Sequence, residues 1–348
     1  ENIEKIELIK KSFQLKHVEH YKEALVMLYK ALEYQSSNQD NVELLSQIGE
    51  IHYLLGNYDR ALEEFLRALS YDPRHTFSLQ KCYEIYLKKD QIQKALKTAS
   101  EMFEKEKKPV SCHCYFEALI KSGNKQDAIS VFNSLDESIK LDSKVLYLIS
   151  TICDEQKREL LLRRIVNFDE SNVEANIDLA EIEYKRGNYG AVLKYCLNIE
   201  EDNPMAMYYI AEIEAKKQNY GRSIDLLMKA INLDKDNHDF YLSLAKVYID
   251  SSRFEEAVVA LKKSINYSLI KEDRTNLDEK YFLFGWILIK LNELSKALLN
   301  LSSVDKKSTY YDNAQILIQV INLKKFNLAG AKTALEKHLE SDPNNTFL

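Results

Sequence analysis

The residues of this 348-residue chain best suited to chemistry are its five cysteines and seven histidines, and one constellation stands out, Cys112-His113-Cys114. Thiolate and imidazole are the usual ligands of a tetrahedral zinc site. On a helix, however, residues two apart point about 200° from each other, so both sulfurs cannot close on one ion unless the helix breaks. No second Cys/His pair completes a set of four. Spacing makes Cys112 a core position and His113 an exposed one. Cys82, Cys153 and Cys196 read as small buried hydrophobes or surface thiols, and the remaining histidines are isolated. Nothing matches GxGxxG, GxxxxGK[ST], HExxH or GxSxG. No catalytic residue, metal or cofactor is assigned. The sequons at Asn266, Asn300 and Asn344 are at chance level, and two of them fall within helical pattern.

The elements that would position any site are helices. Only 8 Gly and 4 Pro occur, while strands joined by tight turns consume both, so a sheet-rich fold is close to excluded. The chain is 45% hydrophobic and 29% charged, enough for a core and too apolar for disorder. Lys and Arg number 48 against 54 Asp and Glu, a net charge of −6, so nothing global supplies the basic surface that nucleic acid needs. No apolar run approaches the roughly 18–20 residues of a membrane span. Scattered cysteines, odd in number, favour a reducing compartment, and a cytoplasmic location is expected. The chain opens at Glu1 rather than Met and stops at Asp342-Pro343-Asn-Asn-Thr-Phe347-Leu348, where another helix would begin. A longer natural protein is therefore expected, and a removed N-terminal targeting segment stays open.

Self-similarity organises the whole chain. Residues 44–73, LLSQIGEIHYLLGNYDRALEEFLRALSYDP, carry Gly49, Gly56, Tyr58, Ala61, Phe65, Ala68 and Pro73. Ala95 follows Ala61 by 34 residues and Ala128 follows by a further 33; Ala245 follows Ala211 by 34. Gly187-Asn-Tyr189, Asn219-Tyr220 and Arg253-Phe254 recur at similar intervals, and Gly285, Leu294 and Ala297 repeat the layout near the end. This pattern resembles the tetratricopeptide repeat (TPR) family, whose unit is a helix–turn–helix of 34 residues. The resemblance implies an all-α, right-handed superhelical solenoid of about ten repeats, forming a single body over 1–348. They are placed near 5–40, 42–75, 76–108, 109–141, 142–171, 172–204, 205–237, 238–276, 277–308 and 310–343. The fifth is degenerate, with Arg158 where Ala is expected, and in the tenth Ala329 and Ala331 compete for one place.

Packing explains the pattern without the name. Small residues such as Gly49, Ala61 and Ala68 mark close approaches of two helix backbones, and Leu45, Ile48, Leu62 and Phe65 fill the space between at helical spacing. The turn 55–58 ends the first helix at Gly56, and Pro73 stops the second. One hairpin cannot bury its apolar face alone, so neighbours stack. Two segments lengthen connections, 36–41 and 267–278, and such insertions collect on one face of a solenoid, often a binding face.

In proteins of this resemblance the first helix of each unit lines a concave groove. Equivalent places on those helices hold Glu50, Glu84, Glu117, Glu181, Glu212, then Lys246 and Trp286. Lys88, Lys121, Lys185, Lys216 and Lys290 stand four residues further on. Glu84–Lys88, Glu117–Lys121, Glu181–Lys185 and Glu212–Lys216 are thus expected i, i+4 ion pairs. The result is either a self-paired, solvated wall or a zwitterionic groove selecting a ligand with basic and polar groups. Tyr208, Tyr209, Phe282 and Trp286 are expected to point into the groove as a docking site for a peptide or helix. The Lys/Asn/Arg clamp with which chaperone-adaptor members hold an acidic tail is not expected, since Glu50, Glu84 and Glu117 occupy or border its places.

The expected function is a non-catalytic scaffold binding a partner protein. The alternative is the TPR arm of a larger enzyme, such as a glycosyltransferase, whose catalytic domain lies outside 1–348. Residues 115–132 also resemble one pentatricopeptide unit, but the 34-residue spacing and the acidic charge argue against RNA.

Overall fold

The structure, a computed structural model, describes residues 2–34, 36–199, 202–326 and 329–341. Among them there is no strand, and twenty of the twenty-one helices pair as ten hairpins, the short helix Glu137–Lys140 standing between the fourth and the fifth. Five lie in the compact unit Glu1–Glu170 and five in the unit Ser171–Leu348. The first unit pairs Asn2–His17 with Tyr21–Leu32, Asn38–Leu54 with Tyr58–Tyr71, Thr76–Lys88 with Ile92–Lys105, Pro109–Lys121 with Lys125–Asn133, and Ser143–Ser150 with Glu155–Phe168. The second pairs Val173–Lys185 with Tyr189–Leu197, Pro204–Lys216 with Tyr220–Leu233, His238–Asp250 with Phe254–Ile270, Leu277–Lys290 with Leu294–Ser302, and Tyr311–Phe326 with Ala329–Ser341. The chain is an all-α helical repeat solenoid. The terminal stop at 342–348 lies outside the described residues, as do the side chains of Ala329 and Ala331.

The hairpin turn is one device used repeatedly. After Leu55, Gly56 takes φ 74°, and the amide of Asn57 donates to the carbonyl of His52, closing the first helix with a Schellman-type cap. The same bond runs from Asn188 to Glu183 and from Asn219 to Glu214. In the repeats without a turn glycine, Glu19, Asp90, Gln218, Ser252 and Asn292 take the left-handed conformation instead, with φ between 54° and 63°. The degenerate fifth hairpin departs from this scheme: Asp154 caps the second helix by accepting from the amide of Lys157 at 2.9 Å.

Close approach is equally specific. A Cβ on Gly49 would stand 2.9 Å from the Phe65 ring, and one on Gly285 would stand 2.5 Å from Leu301 Cγ. Ala61, Phe65 and Ala68 are wholly buried, as are Ala257 and Ala297. In the second unit one continuous cluster of buried side chains reaches from Ala211 to Ile321. Cys82, Cys112, Cys114 and Cys196 are buried, and burial pushes the thiols of Cys82, Cys114 and Cys196 up to about 12, which leaves them inert.

Both insertions are absorbed into helices in part, at 38–41 and at 267–270 and 277–278, while 271–276 form a largely exposed turn. Of 36–41, Ser37 and Asp40 form the capping box of Asn38–Leu54, and buried Lys5 ties Ser36 (2.7 Å) and Asp40 (3.2 Å) to the first hairpin. Of 267–278, the first four residues extend Phe254–Ile270 to 17 residues, and Leu277 already begins the next helix.

Candidate partner-binding face

First helices of neighbouring hairpins touch one another. Asn38–Leu54 meets Thr76–Lys88; Val173–Lys185 meets Pro204–Lys216, which meets His238–Asp250. Residues at equivalent places on these helices therefore share a face within each unit, and the fate of each ladder carboxylate can be followed there.

Two of the four expected i, i+4 pairs form, Glu117–Lys121 at 3.1 Å and Glu181–Lys185 at 2.6 Å. The other carboxylates are taken by neighbours. Glu50 pairs with Lys16 of the preceding hairpin at 2.5 Å, and Glu84 turns back to Lys81 at 2.7 Å. Glu212 accepts from the hydroxyls of Tyr184 (2.8 Å) and Ser243, one hairpin to either side. Glu117 also accepts from Tyr83 at 2.8 Å. Lys246, on the same row, pairs with Glu279 of the next first helix at 2.8 Å. The ladder is thus largely a set of rungs between repeats, because a partner 28–34 positions away lies as near in a stacked array as one a helical turn away.

The lysines released from those pairs settle on aromatic rings. Lys88 Nζ lies 4.7 Å from the Tyr53 ring centre and 4.8 Å from that of Tyr58, and donates to the Tyr58 hydroxyl at 3.1 Å. Lys216 Nζ lies 5.8 Å from the rings of both Tyr184 and Tyr189. Lys290 stands 5.3 Å from the Trp286 ring. Tyr53 and Tyr184, which lie under these lysines, have no place in the glutamate–lysine ladder. The available signal was a Tyr five residues before another across the hairpin turn, 53 and 58, then 184 and 189.

The aromatic site changes most. Tyr209 and Phe282 do not face outward: they are 5% and 1% exposed and belong to the core. Tyr208 and Tyr209 are consecutive, about 100° apart around the helix, so both cannot turn to one side. Tyr209 packs inward against Tyr184 at 5.7 Å, while Phe282 is covered by Tyr310 of the following hairpin at 5.4 Å. Tyr208 and Trp286 remain half-buried, their rings supported by Phe240 (5.4 Å) and Phe254 (6.1 Å). Burial raises the Tyr208 phenol above its ordinary range, and the carboxylates of Glu212, Asp239, Glu181 and Glu279 add to the rise in that order.

A buried polar chain was not anticipated. Lys280 is wholly buried, with Nζ at 2.5 Å from Ser268 Oγ and 3.1 Å from His238 Nδ1; His238 Nε2 is 3.0 Å from Asp273 Oδ2. Its members are scattered over the eighth and ninth repeats, and no local pattern links them. Among the described residues no group of three or more potential metal ligands comes together, and no helix is long and apolar enough to cross a membrane.

Stacked helical hairpins whose first helices share a face within each unit define a helical repeat scaffold for protein–protein interaction. Two of the hairpins carry the signature of a particular repeat, since models of the tetratricopeptide repeat match residues 42–75 and 238–269. The chain thus contains tetratricopeptide repeats. No curated protein matches it. Among solved structures it is similar to a chain of the APC/C hetero-tetramer Cut9–Hcn1, at 13% identity over 97% of this chain and 80% of that one, with a TM-score of 0.53. A tetratricopeptide repeat protein from Parabacteroides merdae aligns over 91% of this chain and 98% of its own at 17% identity, with a TM-score of 0.36.

Proposed function

We propose that the chain is a non-catalytic scaffold whose first-helix face binds a peptide or helix of a partner protein. The observation that carries this reading is the convergence on Tyr208. Carboxylates from the first helices of four successive hairpins, Glu181, Glu212, Asp239 and Glu279, act on that one phenol. A half-buried aromatic ringed by charge from several elements offers a rigid apolar anchor and a charged surround, the combination that interface hot spots use. Trp286 supplies a second anchor beside Lys290. Glu50, Glu84 and Glu117 extend the same chemistry over the first helices of the other unit. Basic and polar groups on the partner complement the floor around Tyr208. The five cysteines are free thiols, which suits a cytoplasmic setting.

The reading is tested by affinity capture with the purified chain, comparing wild type with Tyr208→Ala/Trp286→Ala. Circular dichroism confirms that the double variant stays folded. Loss of the captured partners, by about tenfold or more, is expected; equal recovery would overturn the assignment.

A further inference from the structure

The two lysine platforms are the same construction made twice, once in each unit. In each, a tyrosine near the end of one first helix and a tyrosine at the start of the paired second helix meet across the hairpin turn, Tyr53 with Tyr58 at 5.5 Å and Tyr184 with Tyr189 at 5.9 Å. The lysine at the end of the next first helix then lays its ammonium over both rings. Among the described residues neither Lys88 nor Lys216 has a carboxylate within ion-pair distance, whereas the equivalent Lys121 and Lys185 are neutralised by Glu117 and Glu181. Both ammonium groups are solvent-exposed. The rings fix the position of the charge without cancelling it, since a cation–π contact contributes only about 0.5–1 kcal/mol at an exposed site and leaves the ammonium's outward N–H bonds unused. The hydrogen bond to Tyr58 holds the Lys88 amine above its ordinary range, so it stays cationic at neutral pH.

The surroundings keep the surplus positive. Beside Lys216, Lys217 and Arg222 share the single carboxylate of Glu214, at 3.1 and 3.9 Å. Beside Lys88, Lys89 already pairs with Asp59. The neighbouring ladder carboxylate Glu212 is held by Tyr184 and Ser243 rather than by Lys216.

We propose that each platform receives an acidic side chain of a partner protein, Lys88 in the first unit and Lys216 in the second, so that a segment bound to either unit carries a carboxylate at that platform. This rests on the scaffold reading and adds the charge pattern of the partner to it. An aspartate or glutamate reaching the rim of the face meets an ammonium already oriented by two rings, so little side-chain freedom remains to be lost on pairing.

The test uses the full chain and a fluorescein-labelled hexaglutamate peptide, with hexaglutamine as the control, followed by fluorescence anisotropy at low and moderate salt. Binding of hexaglutamate over hexaglutamine is expected, with about half of the bound signal lost in Lys88→Gln and in Lys216→Gln, at least a fivefold weaker affinity when both are replaced, and no change with Lys262→Gln on the second-helix side. Hexaglutamate binding that survives the double platform substitution, equal binding of hexaglutamine, or no binding of hexaglutamate overturns the proposal. If the proposal fails while partner capture still depends on Tyr208 and Trp286, only the acidic pattern is wrong. If hexaglutamate binds as expected while capture ignores those two residues, the platforms stand and the aromatic reading falls.

Discussion

Lys280 shows how much a single residue can carry in a stacked array. Its amine donates to Ser268 and approaches His238 Nδ1, which also lies 3.2 Å from Asp239 Oδ1, while His238 Nε2 faces Asp273 on the far side of the ring. The buried amine is thereby connected to a carboxylate through an imidazole, and the lengthened segment 267–278 is pinned to two hairpins. Lys5 does the same for 36–41 through Ser36 and Asp40. Replacing Lys280 by Ala leaves His238 and Ser268 without their donor in a dry site, and a loss of about 2–4 kcal/mol is expected in urea denaturation. The bonds from Thr275, then the one from His238, hold the Asp273 carboxyl below its ordinary range. A depressed carboxyl stabilises the fold above the unfolded pKa, near 4, and that stability is lost as pH falls through the folded value. The melting temperature of Asp273→Asn should therefore fall less steeply than that of wild type below about pH 4. Steric residues are simpler: Gly49→Ala forces a methyl group onto the Phe65 ring, at about 1–3 kcal/mol. A melting temperature unchanged by that substitution would contradict the packing described.

At the scale of the hairpin, the turn explains a composition that first looks like a deficit. Three glycines take positive φ at these turns, while Glu19, Asp90, Gln218, Ser252 and Asn292 adopt the same conformation at a cost of about 1 kcal/mol each. Gln218→Gly should stabilise the protein by about 0.5–1 kcal/mol, as a higher urea midpoint, and Gly56→Val should destabilise it. This also marks what was legible. The packing positions Gly49, Ala61, Phe65 and Ala68 are chosen for size, recur at a fixed period, and so announce the fold. The turn is chosen for backbone conformation, which side chains of several types accept. Partners across repeats are less legible still. The expected Glu84–Lys88 and Glu212–Lys216 pairs follow from one isolated helix, whereas Tyr58, Tyr184 and Ser243 reach the same groups from neighbouring hairpins. The two misplaced aromatics, Tyr209 and Phe282, have the same origin: each is covered by a ring from another hairpin, Tyr184 and Tyr310.

For the whole molecule, a solenoid's stability is a sum over hairpins and the contacts between neighbours, so separate compact groups of hairpins should fold as separate cooperative units. The segments 1–170 and 171–348, produced individually, are each expected to keep a helical circular dichroism spectrum and a cooperative thermal transition; an unfolded fragment would show that the division has no energetic meaning. The central claim concerns which face is used. It is tested most directly by placing a photo-crosslinking amino acid at Lys246 or Lys290 on first helices, and at Lys229 or Lys262 on second helices, and identifying the peptides joined to the captured partner. Crosslinks from the first-helix positions alone are predicted, while crosslinks confined to the second-helix positions would contradict the account.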